Sequence, residues 1–222
     1  MNLLKNYKFI ASYIYPNKIG FIRKMNGGKV LDIGCGNHSP TKTKNANPSI
    51  YYVGVDIHKY HIDDNDLRVS DEIYFFDVEN YFEKIRTEIN HSFDYIICAH
   101  VIEHVPDKEI LFRTIKQKLA TGGKCFMTTP NINSINFPST SNTLNYYDDK
   151  THLGMPITFQ QIYDLCSKNE LRLTTFRIRN RTFLSYTFGF LLEPFRILLK
   201  KSLPFTWNYW GFEDLYIIEN IL

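Results

Sequence analysis

Short apolar runs alternate with amphipathic segments along most of the chain, and this order is the feature that most constrains its fold. The runs typical of buried strands are 29–33, 51–56, 72–76, 93–98, 123–129, 171–178 and 214–219. Helix-like segments lie between them at 79–89, 107–119 and 158–169, with Asp107 placed to cap the second and Gly122-Gly123 expected to end it. The alternation predicts an α/β fold built on a mostly parallel sheet.

The composition fits one domain. The chain has 222 residues, of which 44% are hydrophobic, so we expect a single core of ordinary size. Its 26 basic side chains are nearly matched by 23 acidic ones, and this balance argues against a protein that coats nucleic acid. The basic charge is concentrated in 1–24 and in 172–201, where Glu193 is the only acid. These two regions favour an anionic partner.

The four cysteines indicate neither a metal site nor a disulfide. Cys35, Cys98, Cys125 and Cys166 are not spaced as metal ligands or as a redox pair, so we predict no metal and a reducing, cytoplasmic location. The tyrosine-rich N-terminus does not have the pattern of a signal peptide. The uncharged stretch 182–192 is about half of the roughly 20 residues that a membrane span requires, so no spanning helix is expected.

Three segments do not follow the alternation. Segment 1–28 is typical of one or two amphipathic helices ahead of the sheet. Segment 131–157 is rich in Asn, Ser, Thr and Tyr and is long for a connection; we expect a packed lid over an acceptor, with a disordered linker as the alternative. Segment 180–211 is an aromatic and basic insertion between the last two strands.

A glycine turn follows the first strand and predicts a nucleotide or nucleoside ligand. In the run Val-Leu-Asp-Ile-Gly-Cys-Gly-Asn, Gly34 and Gly36 allow a tight bend that brings backbone N–H groups against a ligand, and Asp32 adds a carboxylate at the strand end. Ser39 and Pro40 stand where a dinucleotide fingerprint would have its third glycine. Hydride transfer is therefore disfavoured.

Two further strands also end in an acid. Asp56 closes the second strand 20 residues after Gly36, at the position from which a carboxylate accepts hydrogen bonds from both ribose hydroxyls. Asp77 follows the third strand and suits the exocyclic amine of adenine. Because the carboxyl ends of parallel strands share one edge of a sheet, we expect these acids to lie on a common ligand site.

The fourth strand runs into His-Val-Ile-Glu-His-Val at 100–105, and with this segment the chain resembles the class I S-adenosylmethionine-dependent methyltransferases. The resemblance covers about 29–173 and includes the glycine turn, the acids and the Gly-Gly-Lys turn at 122–124. It implies a seven-stranded, mostly parallel sheet with an antiparallel last strand and helices on both faces. It also implies S-adenosylmethionine as the cofactor and no metal.

The resemblance assigns roles to the matching residues. The methionine end would be held by Asp32, Gly34, Cys35 and Gly36, the ribose by Asp56, the adenine by Ile57, Asp77 and Val78, and the amino group near the main chain of His100. The chain departs from the family at His38, where a small residue is usual, and Pro40 and Pro48 are expected to shorten the first helix of the fold.

Methyl transfer to oxygen needs alignment, exclusion of water and a proton acceptor, so histidines are the natural candidates. His104 follows the fourth strand, on the cofactor side, and its alternative role is structural. His152 lies in the lid, in a segment that resembles methyltransferases of sugars and quinone-like molecules; helix capping is its alternative. Tyr146 and Tyr147 are candidates to line the acceptor, or to anchor packing.

The insertion and the lid suggest the acceptor. We expect a small-molecule acceptor, first a hydroxyl on a cell-surface polysaccharide (capsule) precursor or its phosphoryl decoration, with a nucleotide- or lipid-linked carrier. Methylation of a quinone or lipid intermediate is the alternative, and a non-catalytic S-adenosylmethionine-binding scaffold subunit is another. Segment 180–211 would serve as an interfacial helix on anionic lipid, a homodimer interface or a cover on the pocket. The signature of base amino-methylation is absent after the fourth strand, so nucleic acid is not an expected partner.

Overall fold

The computed structural model describes residues 18–141, 143–178 and 181–222. Most of the expected N-terminal helical segment lies outside these residues. Its described part contains helix α1 (Lys18–Arg23).

A seven-stranded sheet forms the centre of the protein. Its strands are β1 (Lys29–Ile33), β2 (Tyr51–Asp56), β3 (Glu72–Phe75), β4 (Phe93–Ala99), β5 (Leu119–Pro130), β6 (Leu171–Arg177) and β7 (Glu213–Asn220). Their order is β3-β2-β1-β4-β5-β7-β6, and β7 runs antiparallel to both of its neighbours. The expected fold is confirmed, including the antiparallel last strand, and the first two strands have the predicted bounds.

The remaining helices surround the sheet. They are α2 (Ser39–Ala46), α3 (Asp64–Val69), α4 (Tyr81–Glu88), α5 (Lys108–Lys118), α6 (Phe159–Lys168), α7 (Phe183–Leu199) and α8 (Thr206–Trp210). Asp107 caps α5 by accepting from the amides of Glu109 and Ile110, as predicted. Pro40 lies in the first turn of α2, where a missing N–H is tolerated, so it helps to start this eight-residue helix.

The end of α5 differs from the prediction. The helix ends at Lys118, and Leu119 already pairs with Phe93 as the first residue of β5. Pairing then resumes with Lys124 opposite Tyr95, so the residues between them bulge out of the ladder. Gly122, with φ +75°, supplies the left-handed residue of this bulge instead of ending the helix.

The core has two layers because successive strand residues point to opposite faces of the sheet. Leu31 and Ile33 of β1 face the larger apolar cluster, which includes Ile85 of α4 and Phe112 of α5. Val30 faces a smaller cluster on the other side. That cluster contains Ile22 of α1, Tyr52 and Ile97. Helices therefore cover both faces, as expected for this fold.

Segment 131–157 is packed rather than extended. It contains 3₁₀ turns at Ile132–Asn136 and Tyr146–Asp148, and Leu144 is fully buried. Asp148 organises the segment by accepting from the amides of Thr140, Leu144 and Asn145 and from the hydroxyl of Ser139. Although burial opposes ionisation, these bonds hold the pKa of Asp148 below its usual value.

The insertion between β6 and β7 is helical. Helices α7 and α8 pack closely, since a Cβ added at Gly189 would lie 2.5 Å from Cβ of Tyr209. None of the helices among the described residues is long and apolar enough to span a membrane.

Candidate active site

The turn after β1 fits tightly against its surroundings. Gly34 has φ +72°, and its amide donates to the carbonyl of Val55 over 2.8 Å. A Cβ at this position would lie 2.6 Å from Cγ2 of Val101, so only glycine fits. The contact brings the loop after β4 against the glycine turn.

Gly36 and Asp56 are joined directly. The amide of Gly36 donates to Oδ2 of Asp56 over 2.8 Å. Oδ1 of the same carboxylate accepts from the amides of Ile57, over 2.7 Å, and His58, over 3.2 Å. The structure therefore places the carboxylate of β2 beside the glycine turn, as the spacing of the two motifs predicts.

Asp32 has a different surrounding from the other acids. Its side chain is buried, and Oδ2 accepts from Tyr52 over 2.8 Å and from Lys18 over 3.0 Å. The hydroxyl of Ser39 also donates to this oxygen. Asp32 thus ties α1 and the start of α2 to β1, and Lys18 and Ser39 are partners that sequence reasoning missed.

Cys35 contributes only its backbone to the turn. Its amide donates to the carbonyl of Val55 over 3.1 Å. Its thiol is buried close to Gly54, where an added Cβ would lie 2.9 Å from the sulfur. Burial raises the pKa of the Cys35 thiol far above its usual value, so the side chain is an inert part of the core.

The ends of β2 and β3 expose apolar side chains next to acids. Ile57 is 40% exposed and Val78 is 64% exposed, a high fraction for large aliphatic residues. The amide of Phe76, just before Asp77, donates to the carbonyl of Asp56 and holds the two strand ends together. Asp77 precedes a 3₁₀ turn, yet among the described residues its carboxylate makes no capping bond to that turn. This edge offers an apolar surface and a carboxylate to a planar ligand.

His100 connects the loop after β4 to β7. Its backbone is left-handed, with φ +54°, and its ring nitrogens lie 3.1 Å from Glu103 and 3.0 Å from Glu213. Burial alone would lower the pKa of His100, but the bonds to Glu103 and Glu213 raise it to about 10. The side chain is therefore a fixed imidazolium. Glu213 comes from the far end of the chain and is not evident from the sequence.

Glu103, His104 and His152 form a cluster. Their ligand-type atoms lie within 4.8 Å of one another, and the rings of the two histidines are 4.9 Å apart between centres. The sequence indicated both histidines but placed them on different sides of the acceptor. The structure instead places them side by side, because the amide of Leu153 donates to the carbonyl of Glu103 and ties the lid to the loop.

The hydrogen bonds of His104 fix its protonation pattern. Thr151 donates its hydroxyl proton to Asp149 over 2.6 Å, so its 2.9 Å contact with Nδ1 of His104 requires the imidazole to donate. The proton of the neutral ring then lies on Nδ1. The lone pair is left on Nε2.

His152 has the same pattern. Its Nδ1 lies 2.6 Å from the carbonyl oxygen of Tyr146, which can only accept. Nε2 therefore holds the lone pair, with the nearest carboxylate, Asp149, at 3.9 Å.

The two tyrosines of the lid occupy different environments. Tyr146 is fully buried and stacks on His152, with ring centres 4.4 Å apart. The ring of Tyr146 has no exposed surface, which favours the packing role, the alternative to lining the acceptor. Tyr147 is half exposed and its hydroxyl contacts the sulfur of Met155 over 3.0 Å, so it remains able to meet a ligand.

A family model agrees with this architecture. The model described as a methyltransferase domain matches residues 12–180, which is most of the chain.

Curated relatives match a shorter part. The ubiquinone biosynthesis O-methyltransferase of Citrobacter koseri is 29% identical over 131 residues, covering 54% of this chain and 51% of the relative. The protein of the same name from Idiomarina loihiensis is 30% identical over 125 residues, with the same coverage. The chain thus spans about half the length of these relatives.

Solved structures share the fold at low sequence identity. A plantazolicin methyltransferase solved with SAH superposes with a TM-score of 0.60 at 16% identity, covering 96% of this chain and 84% of that one. A SAM-dependent methyltransferase from Archaeoglobus fulgidus gives 0.52 at 15% identity, covering 96% and 99%. The strand order, the turn after β1 and the family match lead to one conclusion: the chain belongs to the methyltransferase domain family and has the class I, S-adenosylmethionine-dependent methyltransferase fold.

Proposed function

We propose that this protein transfers a methyl group from S-adenosylmethionine to an oxygen of a small-molecule acceptor. The observation that carries the proposal is the Gly36–Asp56 pair, which sets a ribose-binding carboxylate against a glycine turn at the carboxyl edge of the sheet. The class I fold and the family match support it.

The described residues fit the cofactor. A Cβ at Gly36 would lie 3.3 Å from Oδ2 of Asp56 and would crowd the carboxylate that is expected to hold the ribose, so this position suits glycine. Asp56 would accept from the ribose hydroxyls, and the exposed side chains of Ile57 and Val78 would pack against adenine beside Asp77. When bound, the cofactor supplies a methyl group already activated on a sulfonium.

The cluster on the lid would handle the acceptor proton. Nδ1 of His104 and of His152 each donates to an oxygen of the lid, so Nε2 is the ring nitrogen that would accept the proton of an acceptor hydroxyl. Tyr146 stacks on His152 and would orient it for this step. We assign His152 as the first candidate for general base.

The acceptor that we favour is a quinone-like or lipid-soluble phenol. Support comes from the curated relatives, which are named ubiquinone biosynthesis O-methyltransferases, and from the apolar insertion. The polysaccharide acceptor, which sequence reasoning placed first, gains no support from these relatives.

Helix α7 supports a membrane-proximal acceptor because many of its large apolar side chains are exposed. The buried positions of the helix are Ser185, Gly189 and Arg196. The exposed large side chains are Phe183, Leu184, Tyr186, Phe188, Phe190, Leu191, Phe195, Ile197, Leu198 and Leu199. A surface helix of a water-soluble domain has the opposite arrangement, so this outer face is suited to a partner.

The charges around α7 indicate an anionic lipid surface as that partner. Arg181 precedes the helix, and Lys200 and Lys201 follow it. The single acid of the helix, Glu193, bonds to buried Arg196 over 2.8 Å and so lies away from the apolar face. Cations at both ends of an apolar face are typical of helices that lie in the plane of a membrane interface.

Calorimetric titration with S-adenosylmethionine and its demethylated product tests the proposal, followed by turnover of catechols and of glycan precursors. Binding with transfer to a phenolic acceptor is the expected result. Binding without transfer to any acceptor would favour a scaffold subunit. Binding of NAD with none of S-adenosylmethionine would overturn the proposal.

A further inference from the structure

We propose that Glu103, His104 and His152 bind a divalent transition-metal ion of the zinc or cobalt type. The observation is a two-histidine, one-carboxylate cluster in which one ligand-type atom of each residue lies within 4.8 Å of the other two. The cluster is not evident from the sequence, because a helix, a strand and most of the lid separate Glu103 and His104 from His152.

The unpaired oxygen of Glu103 is the first step of the argument. The side chain is 1% exposed, and its Oε1 is engaged by His100 at 3.1 Å. Its Oε2 is buried without a hydrogen-bond partner among residues 18–141, 143–178 and 181–222. A buried carboxylate oxygen without a donor loses its hydration and gains nothing in return. A cation would supply the missing interaction.

The histidines are the second step, and they are independent of the first. In both rings Nδ1 donates, to Thr151 in one and to the carbonyl of Tyr146 in the other, so Nε2 holds the lone pair in each. Histidines that bind metals almost always donate their other ring nitrogen to a carbonyl, carboxylate or water in this way. A metal ion would therefore bind through Nε2 of each histidine.

The donor types indicate the class of ion. Two imidazole nitrogens and one carboxylate oxygen suit Zn²⁺ and its first-row neighbours, whereas Mg²⁺ and Ca²⁺ prefer oxygen ligands alone. Three protein ligands leave at least one coordination position open. Asp149 lies 3.9 Å from Nε2 of His152, so its negative charge would be attracted to the ion.

A second cluster provides a comparison. His38, Asp63 and Asp66 also lie within 4.8 Å of one another. There Asp66 is already satisfied by Thr41, by the amide of Asp63 and by His38. His38 is largely exposed as well. Because this cluster lacks an unpaired buried atom, we do not assign it an ion, and it serves as the matched control.

The ion would change the chemistry of the lid, and this consequence rests on the proposed function. A hydroxyl oxygen bound at the open position would lose its proton more readily and would be held in place for methyl transfer. His152 would then position the ion, and the proton would leave to solvent or to Asp149. The ion would thus promote loss of the hydroxyl proton, which is the role of the general base in a metal-free mechanism.

Metal binding to the purified, chelator-treated chain tests the proposal without any turnover. Zn²⁺ is titrated calorimetrically, and Co²⁺ is followed by its visible absorption in the wild type and in Glu103→Gln, His152→Asn and His38→Asn. We expect one ion per chain, weakened about a hundredfold or more by the first two substitutions and within about threefold of wild type in His38→Asn. Equal binding by all four proteins, loss only in His38→Asn, or no binding by the wild type would overturn it.

Two readouts guard against a folding artefact and separate this proposal from the proposed function. Circular dichroism verifies that each variant is folded. Zn²⁺ is expected to raise the Tm of the wild type but not that of His152→Asn. If the ion binds but no methyl group is transferred, the metal site is supported and the proposed function is rejected. If methyl transfer continues undiminished in chelator, with no ion bound, the proposed function is supported and the metal site is rejected.

Discussion

The rings of His104 and His152 lie 4.9 Å apart, although one follows β4 and the other belongs to the lid. The pairing depends on the backbone bond from Leu153 to Glu103, which fastens the lid to the loop that also touches Gly34 through Val101. The glycine turn and the histidine pair are therefore parts of one connected site.

Asp56→Ala is expected to weaken S-adenosylmethionine binding about ten- to a hundredfold, or about 1.5 to 3 kcal/mol, because both ribose bonds are lost. Titration calorimetry measures the change. Asp164→Ala, on the exposed surface of α6, is the control and should bind as the wild type does. Unchanged affinity in Asp56→Ala would show that the ribose lies elsewhere.

His152→Ala is expected to lower turnover by about 10²- to 10⁴-fold while cofactor affinity stays within a few-fold, because the side chain acts on the acceptor. His104→Ala should also lower turnover and, through its bond to Thr151, loosen the lid. The double variant should lose little more than the worse single one, since the two act as a unit. His91→Ala, which contacts Glu72 instead, is the control. Near-normal turnover in His152→Ala would rule out its role.

Leu198→Glu is expected to weaken binding to phosphatidylglycerol vesicles, because Leu198 is 79% exposed on the apolar face of α7. Wild type should bind these vesicles in a salt-sensitive manner and bind phosphatidylcholine vesicles less. Flotation measures both. Tyr163→Glu, on exposed α6, is the matched control. If the wild type ignores vesicles but dimerises in sedimentation, the face is a protein interface.

Asp66→Asn is expected to lower the free energy of unfolding by about 1 to 3 kcal/mol at neutral pH, because Asp66 joins α2 to α3. Burial opposes ionisation of Asp66, but bonds from Thr41, Asp63 and His38 hold its pKa below the usual value. Its stabilising effect is therefore complete above about pH 4 and is lost as the pH falls through the lowered pKa.

Urea unfolding at several pH values checks this prediction. The wild type should lose stability on acidification more steeply than Asp66→Asn does. Parallel pH profiles would contradict it.

Gly34→Ala is expected to destabilise the fold by about 1 to 3 kcal/mol, because φ +72° strains a Cβ that would also meet Val101. Thermal unfolding measures the loss. Gly154→Ala is the control for strain alone, since it has φ +67° but nothing within 4 Å of an added Cβ. Equal losses in both variants would remove the steric part of the argument.

The sequence was sufficient to predict the sheet, because buried strands leave continuous apolar runs. It was also sufficient to predict that the acids share one edge, because parallel strands bring their carboxyl ends together. It did not predict α3, whose six residues Asp-Asn-Asp-Leu-Arg-Val are mostly polar and depend on a capping box.

The sequence also missed partners that only the tertiary fold brings together. Glu213 reaches His100 because β7 inserts between β5 and β6, and Lys18 reaches Asp32 from the helix before the sheet. The burial of Tyr146 depends on the lid folding inward, which no local pattern records. Nor does the sequence reveal that one oxygen of Glu103 lacks a donor.

Helix α8 connects the insertion to the lid and to the loop that carries His100. Trp207 donates to the carbonyl of Thr143 in the lid over 2.7 Å, and its ring lies 5.4 Å from that of His100. Three residues after α8 ends, Glu213 contacts the same imidazole over 3.0 Å. The insertion is therefore joined both to the lid and to the loop after β4, and we expect a partner on the outer face of α7 to act on the candidate site through α8.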